Sequence, residues 1–339
     1  MKTEIVIALD AMGGDHAPDV TVQGAVDAAG PGLRVLLVGD QDALAPRLDA
    51  LIERPGHDRV EIVHATEKVF STEDGARAVR AKPDSSVVVA CRTVREGRAQ
   101  GAVSLGHSGA MLAASTLQMR RIPGVQRPGI AVVLPSRKGF IVMLDAGANA
   151  DARPEHLQQF AVMGRLFAQS VLGDDSPTVG LLSIGEEEGR GSDLIQQATP
   201  LLRGLPGFVG NVEGRDIPRG TARVVVTDGF TGNVALKLYE ASAEFLFAEV
   251  RAALSETLVG RIGGLLIRPS VMRMRKRLDP ETVGGAFLLG VRGLAVIGHG
   301  SSSATAVTNA IHMAARGARE NVVERLAEEL AALPTAPPA

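Results

Sequence analysis

The sequence predicts an α/β fold built on a largely parallel sheet with helices on both faces. Short Val/Ile/Leu runs alternate with helix-length segments along the chain. A length of 339 residues, 45% of them apolar, supplies enough material for a sizeable core. Several of the apolar runs end in glycine-plus-polar junctions, as the carboxyl ends of parallel strands do around a ligand.

In chain order, residues 5–9, 35–38, 60–63, 87–90 and 102–105 read as strands, with helices starting near Pro18, Gln41, Thr72, Cys91 and His107. The rhythm then changes. Residues 130–134 and 140–144, separated by Pro135-Ser-Arg-Lys-Gly139, read as an antiparallel hairpin or paired connection. Alternation resumes with a strand over 178–184, a helix from Ser192, a strand over 223–227 and a long helix from Thr231 to about Leu254. Val234, Leu238, Ala241 and Phe245 mark the apolar face of that helix. A further helix starts near Ser303. The organisation expected is one domain over 1–333, with a basic and apolar helical insertion at about 255–280 and a flexible tail over 334–339.

The bulk numbers exclude several classes. Lysine and arginine total 36 against 38 acids, a formal charge of -2, so the whole molecule offers no basic field for nucleic acid. With no tryptophan and one tyrosine, base-stacking platforms are not expected. The single cysteine, Cys91, excludes an internal disulfide framework and reads as packing at a strand end. No signal peptide or bilayer-length apolar run is visible, which points to the cytoplasm.

The insertion stands apart because RIGGLLIRPSVMRMRKRL, residues 261–278, holds six basic residues and no acid. Pro269 suits the first turn of a short helix there, and Asp279-Pro280 its end. Arg261, Arg268, Arg273, Arg275, Lys276 and Arg277 beside Leu265, Leu266, Ile267, Val271 and Met272 suit a lipid surface or an acidic protein. A helical hairpin packed on a second subunit is the plainer alternative, compatible with the first.

Four strand-to-loop junctions are alike in kind: Asp10-Ala-Met-Gly-Gly-Asp15, Ser104-Leu-Gly-His-Ser-Gly-Ala110, Asp145-Ala-Gly-Ala-Asn149 and Asp228-Gly-Phe-Thr-Gly-Asn233. In an open parallel sheet they would gather into one crevice. Glycines let backbone N–H groups approach an anion, and helix N-termini add partial positive charge, so an anionic ligand is expected. The aspartates would repel such a ligand unless they cap and orient, the role favoured here over metal ligation. Arg127, Arg190 and Lys237 are available as cations.

Gly106-His107-Ser108-Gly109-Ala110 also resembles a serine-esterase nucleophile elbow, although Ala110 replaces its last glycine. Asp228 and His299 would complete the order Ser, Asp, His. A non-catalytic lipid-surface or carrier-binding protein is a second rival. A dehydrogenase is disfavoured, since no G-x-G-x-x-G with a following acid succeeds the first strand.

Over nearly its whole length the chain resembles the bacterial acyl-acyl carrier protein:phosphate acyltransferases. The match is carried by ALDAMGGDHAP, SLGHSGA, PGVQRPGIAVVLP, LDAGAN, GLLSIGEEEGRG, FVGNVEGRDI, VVVTDGFTGNVALK and GGAFLLGV…HGSS. The resemblance implies a three-layer, Rossmann-like α/β fold similar to that of isopropylmalate dehydrogenases, a homodimer, and peripheral association with the inner face of the membrane. It further implies transfer of a fatty acyl group from acyl carrier protein to inorganic phosphate for phospholipid synthesis, with no cofactor and no metal. Under that reading Gly13, Gly14, Ser104 and Ser108 cradle phosphate, while Arg190 and Asn233 face the reacting groups. Lys237 is a second cation, His16 and His299 are proton donors for the departing thiolate, and Asp10, Asp15, Asp145 and Asp228 orient these groups. Three positions depart from the family pattern: His107 stands for asparagine, Ser108 for threonine, and Arg190 for lysine.

Overall fold

The computed structural model describes residues 4–278 and 284–333, with the side chains of 275–278 excepted. The expected tail over 334–339, the helix end at Asp279-Pro280 and the side chains of Arg275, Lys276 and Arg277 lie outside the described residues. The first half comprises β1 (Ile5–Asp10), α1 (Asp19–Ala28), β2 (Leu33–Gly39), α2 (Gln41–Asp49), β3 (Val60–His64), α3 (Gly75–Ala81), α4 (Ser86–Arg95), β4 (Gly101–Ser104), α5 (Ser108–Gln118), β5 (Gly129–Ser136), β6 (Gly139–Leu144) and α6 (Pro154–Leu172). The second comprises β7 (Val179–Leu182), α7 (Asp193–Leu202), β8 (Phe208–Val212), α8 (Asp216–Arg219), β9 (Val224–Val226), α9 (Gly229–Glu256), α10 (Leu258–Leu278), β10 (Ala286–Leu289), β11 (Leu294–Ile297), α11 (Ala304–Arg319) and α12 (Val322–Ala331).

All the strands join one eleven-stranded sheet in the order β3-β2-β1-β4-β11-β10-β5-β6-β9-β7-β8. Helices cover both faces. On β1, Ile7 and Leu9 pack with Val22 of α1 and with Val307 and Ile311 of α11. Ala8, pointing the other way, packs with Val88 and Cys91 of α4. Burial on both faces explains why β1 reads as an unbroken apolar run.

That same logic misled the reading of 87–90, which lies inside α4 and is not a strand. Every residue from Ser86 to Cys91 is buried, because α4 is wedged between the sheet and α5. A helix apolar on all sides loses its 3.6 period and looks like a buried strand. Cys91 therefore sits mid-helix and not at a strand end; burial pushes its thiol up to about 12.

Sheet polarity is the larger correction. The β5–β6 hairpin forms as expected, with Ser136 paired to Gly139 and Arg137-Lys138 at its tip. β10 is antiparallel to both β11 and β5, whereas β6, β9, β7 and β8 are mutually parallel. The carboxyl ends of β1, β4 and β11 thus lie on one edge of the sheet and those of β6, β9 and β7 on the other. The four junctions do not share an edge.

The insertion is a long hairpin of α9 and α10. The apolar stripe expected on α9 is left outside the core: Val234, Leu238 and Phe245 are 52%, 66% and 67% exposed, and Ala241 is also exposed. Only Gly229 and Gly232 of that helix are buried. Pro269 lies inside α10, so the helix there is longer than the short one expected from Pro269 onward. Among the described residues no helix is long and apolar enough to cross a membrane.

Candidate active site

Three junctions assemble a first wall. Asp10 ends β1 fully out of solvent; its Oδ2 accepts the Ser104 hydroxyl at 2.7 Å and its Oδ1 accepts the Met12 amide at 3.2 Å. Burial raises its pKa above the ordinary carboxylate value, against hydrogen bonds from Ser86, Ser104, Met12 and Gly13 that favour the charge. The Ser104 Oγ in turn accepts the Gly106 amide at 3.2 Å. With its hydroxyl used in both directions and its side chain buried, Ser104 locks the loop.

The lock presses two loops together at glycine. A Cβ on Gly13 would lie 2.5 Å from Asp10 Oδ2 and 3.0 Å from the Gly106 nitrogen. Gly14 has φ +116°, a conformation side chains rarely adopt, and the Asp15 amide donates to the Gly300 carbonyl at 2.8 Å. That bond joins the junction after β11. Asp15, His16, Ser108 and His299 are exposed around this wall. His299 Nδ1 lies 2.8 Å from the Ser301 hydroxyl.

His107 is the N-cap of α5, a role the sequence did not assign to it. Its Nδ1 accepts the Gly109 and Ala110 amides at 3.0 and 3.3 Å, and its Nε2 donates to the Glu73 carbonyl at 2.9 Å. The esterase arrangement is not assembled. No histidine hydrogen bonds the Ser108 hydroxyl among the described residues, His299 is engaged by Ser301, and Asp228 belongs to the other edge.

The second wall is built on Asp145, which is fully buried after β6. Its Oδ1 accepts the amides of Ile130, Gly147 and Ala148 at 2.9, 3.1 and 3.0 Å. Its Oδ2 accepts the backbone and side-chain nitrogens of Asn149, both at 2.8 Å. Asn149 Nδ2 also donates to the carbonyl of Pro128, the residue after Arg127. Gly229 donates to the Asn149 carbonyl at 2.8 Å, and a Cβ on Gly232 would meet the Asp145 carbonyl at 1.9 Å. Backbone contact at glycine fixes the start of α9 here as well.

Asp228 caps α9, accepting the Thr231 amide at 2.8 Å and its hydroxyl at 2.7 Å. One turn further, Asn233 packs on Gly147, and Lys237 is exposed a turn beyond. Arg190 is exposed in the loop after β7, 3.7 Å from Glu187. Sequence reasoning left Asn149 unassigned although LDAGAN displays it. It also missed Thr227, Ser183 and Asn211, whose Oγ1, Oγ and Oδ1 atoms are buried without a hydrogen-bond partner at the ends of β9, β7 and β8. Among the described residues no group of three or more His, Cys, Asp or Glu side chains is placed to share a metal ion.

A family model described as fatty acid synthesis protein matches residues 5–325. The phosphate acyltransferase of Thermus thermophilus is 49% identical over 329 residues, covering 96% of this chain and 99% of that relative. The chain belongs to the phosphate acyltransferase family. A second relative of that name, from Heliobacterium modesticaldum, is 47% identical over 326 residues and covers 96% and 97% of the two chains. Membership makes the protein an acyltransferase, and the motifs of both walls lie within the matched region. The three-layer architecture of this phosphate acyltransferase family member is shared with more distant proteins. The phosphotransacetylase of Streptococcus pyogenes superposes with a TM-score of 0.63 at 16% identity, covering 95% and 94% of the two chains. That of Staphylococcus aureus gives 0.61 at 17%, covering 94% and 96%.

Proposed function

We propose that this chain transfers a fatty acyl group from the thioester of acyl carrier protein to inorganic phosphate, producing acyl phosphate for phospholipid synthesis. The near-complete correspondence with phosphate acyltransferases carries the reading. A phosphate oxygen attacks the thioester carbon, the tetrahedral oxyanion collapses, the C–S bond breaks and the thiolate takes a proton. Phosphate is already a competent nucleophile, so the enzyme's work is positioning and oxyanion stabilisation, without a cofactor, metal or covalent intermediate.

In this proposal the first wall holds phosphate through the Gly13-Gly14 turn and the Ser108 hydroxyl at the start of α5, whose Gly109 and Ala110 amides are taken by His107. Asp10, Asp15 and Ser104 aim these groups. His16 and His299, exposed at the rim, protonate the leaving thiolate. The second wall supplies Asn233, Lys237 and Arg190 to the thioester side, oriented by Asp145 and Asp228.

The proposal requires both walls to face one cleft, and the twist of the sheet works in that direction. From β1 to β9 there are six interstrand steps, which at roughly 20–25° each turn the second half by about 120–150°. Reversed strands so rotated point their carboxyl ends toward the same side. The protein is further proposed to act as a homodimer in the cytoplasm, its α9–α10 hairpin meeting the carrier or the anionic inner membrane face.

The test is incubation with acyl carrier thioester, with and without phosphate. Acyl phosphate forming only with phosphate is the expected result. Release of free fatty acid at the same rate without phosphate would refute the transfer and favour a hydrolase.

A further inference from the structure

We infer that His107 is a positioning residue for phosphate, acting only as the neutral tautomer with its proton on Nε2. The inference rests on the first wall being the phosphate side of the reaction. Two bonds fix that tautomer. A carbonyl can only accept, so the 2.9 Å contact to Glu73 places the proton on Nε2. The Gly109 and Ala110 amides can only donate, so Nδ1 must carry a free lone pair. One ring thus clamps the start of α5 and ties the segment between β3 and α3 to it.

Tight packing makes the clamp consequential. A Cβ on Gly75, the first residue of α3, would lie 2.5 Å from the Ala110 nitrogen, so α3 and α5 touch through backbone at this point. A second proton on Nδ1 would turn the acceptor into a donor facing two amides, and the cap would open. The charged groups on the segment between β3 and α3 are Glu67, Lys68, Glu73 and Asp74. The Glu73 carboxylate is held by the Lys82 ammonium at 2.7 Å, and Asp74 is committed to the Arg77 amide at 2.8 Å. From the α4 side, the Cys91 thiol meets Met111 and Ser115, and Arg95 donates to Gln118 at the far end of α5 at 2.9 Å. From α5 itself come the two capped amides and the positive end of the helix dipole. Asparagine also offers an acceptor at an N-cap.

Two measurements on wild type, His107→Asn and His107→Ala test this at about pH 8, where the neutral ring is the ordinary form. The first is the exchange protection of the Gly109 and Ala110 amides. Wild type and His107→Asn should protect them, and His107→Ala should lose at least about fivefold. The second is the KM for inorganic phosphate in acyl phosphate formation. It should rise at least about fivefold in His107→Ala with kcat little changed, and stay near the wild-type value in His107→Asn. A wild-type KM and protection in folded His107→Ala, or lost protection and a raised KM in His107→Asn, would overturn the inference. If His107→Ala does not fold, the comparison of wild type with His107→Asn decides alone. Absence of phosphate-dependent turnover in wild type would instead sink the proposed reaction, and amide protection would still decide whether His107 clamps α5.

Discussion

At the scale of single residues, three of the four acids at the expected anion junctions are committed to the loops themselves. Asp10 and Asp145 spend their oxygens on backbone amides and neighbouring side chains, and Asp228 on Thr231. They shape the loops whose amides remain for a ligand. This part was legible, because a carboxylate at a loop start has few other roles. The cap formed by His107 was not legible, since which ring nitrogen meets which partner depends on the fold. Gly14→Val tests the first wall. Valine at φ +116°, its Cβ 3.4 Å from the Gly300 and Leu105 carbonyls, would displace the turn. Phosphate-dependent turnover should fall by more than about 100-fold, consistent with misplacement of positioned groups, while the chain still unfolds cooperatively. Wild-type kinetics in that variant would remove Gly14 from the phosphate side.

At the scale of elements, legibility followed the surroundings of each segment. β1 and the β5–β6 hairpin were readable from apolar runs and turn residues. α4 was not, its first six residues being buried all round, and α9 shows that a regular stripe at helical spacing marks an apolar face without saying what covers it. The stripe on α9 and the exposed Leu265 and Leu266 of α10, at 68% and 76%, leave a hairpin with much apolar surface outside the core. If the exposed apolar side of α10 meets lipid, replacing Leu265, Leu266 and Ile267 together by glutamate should reduce flotation with anionic vesicles at least about tenfold. Each buried aliphatic side chain contributes roughly 1.5–3 kcal/mol of transfer. Phosphate-dependent turnover on a short-chain soluble thioester should be little changed. Unaltered flotation would leave the hairpin to protein contacts.

At the scale of the whole molecule, α/β class and a sheet covered on both faces could be read from alternation alone. Strand direction could not, because polarity is set by how connections route and not by any period in the residues. The reversal at β10 and β6 decides which candidates stand together, and it separated Asp145, Asp228, Asn233, Lys237 and Arg190 from the glycine turn. Two buried carboxylates give the fold opposed acid responses. Asp216 is drawn upward by burial, but the Glu213 amide, the Thr221 hydroxyl and Arg219 and Arg215 outweigh it and lower its pKa. Its stabilisation is present above the ordinary carboxylate value and lost as pH falls through the lowered one. Asp10 is raised by burial, so its charged form costs stability, and that cost is relieved as pH falls through its elevated value. In chemical denaturation between about pH 6 and pH 3, the stability advantage of wild type over Asp216→Asn should shrink toward acid. Wild type relative to Asp10→Asn should instead gain. The same slope in both comparisons would contradict this assignment.

The bond from Asp15 to Gly300 also sets a timetable. β11 enters the sheet between β4 and β10, and α11 packs on α1 so closely that a Cβ on Gly24 would meet Val307 at 2.5 Å. A chain emerging from the ribosome therefore completes β1, β2 and β4 long before β11 exists, leaving the edge of β4 without its β11 partner and the glycine turn without one of its supports. The first wall closes only when the last quarter of the polypeptide has been made. An incomplete chain can hold much of the sheet and still lack the place where phosphate is proposed to sit.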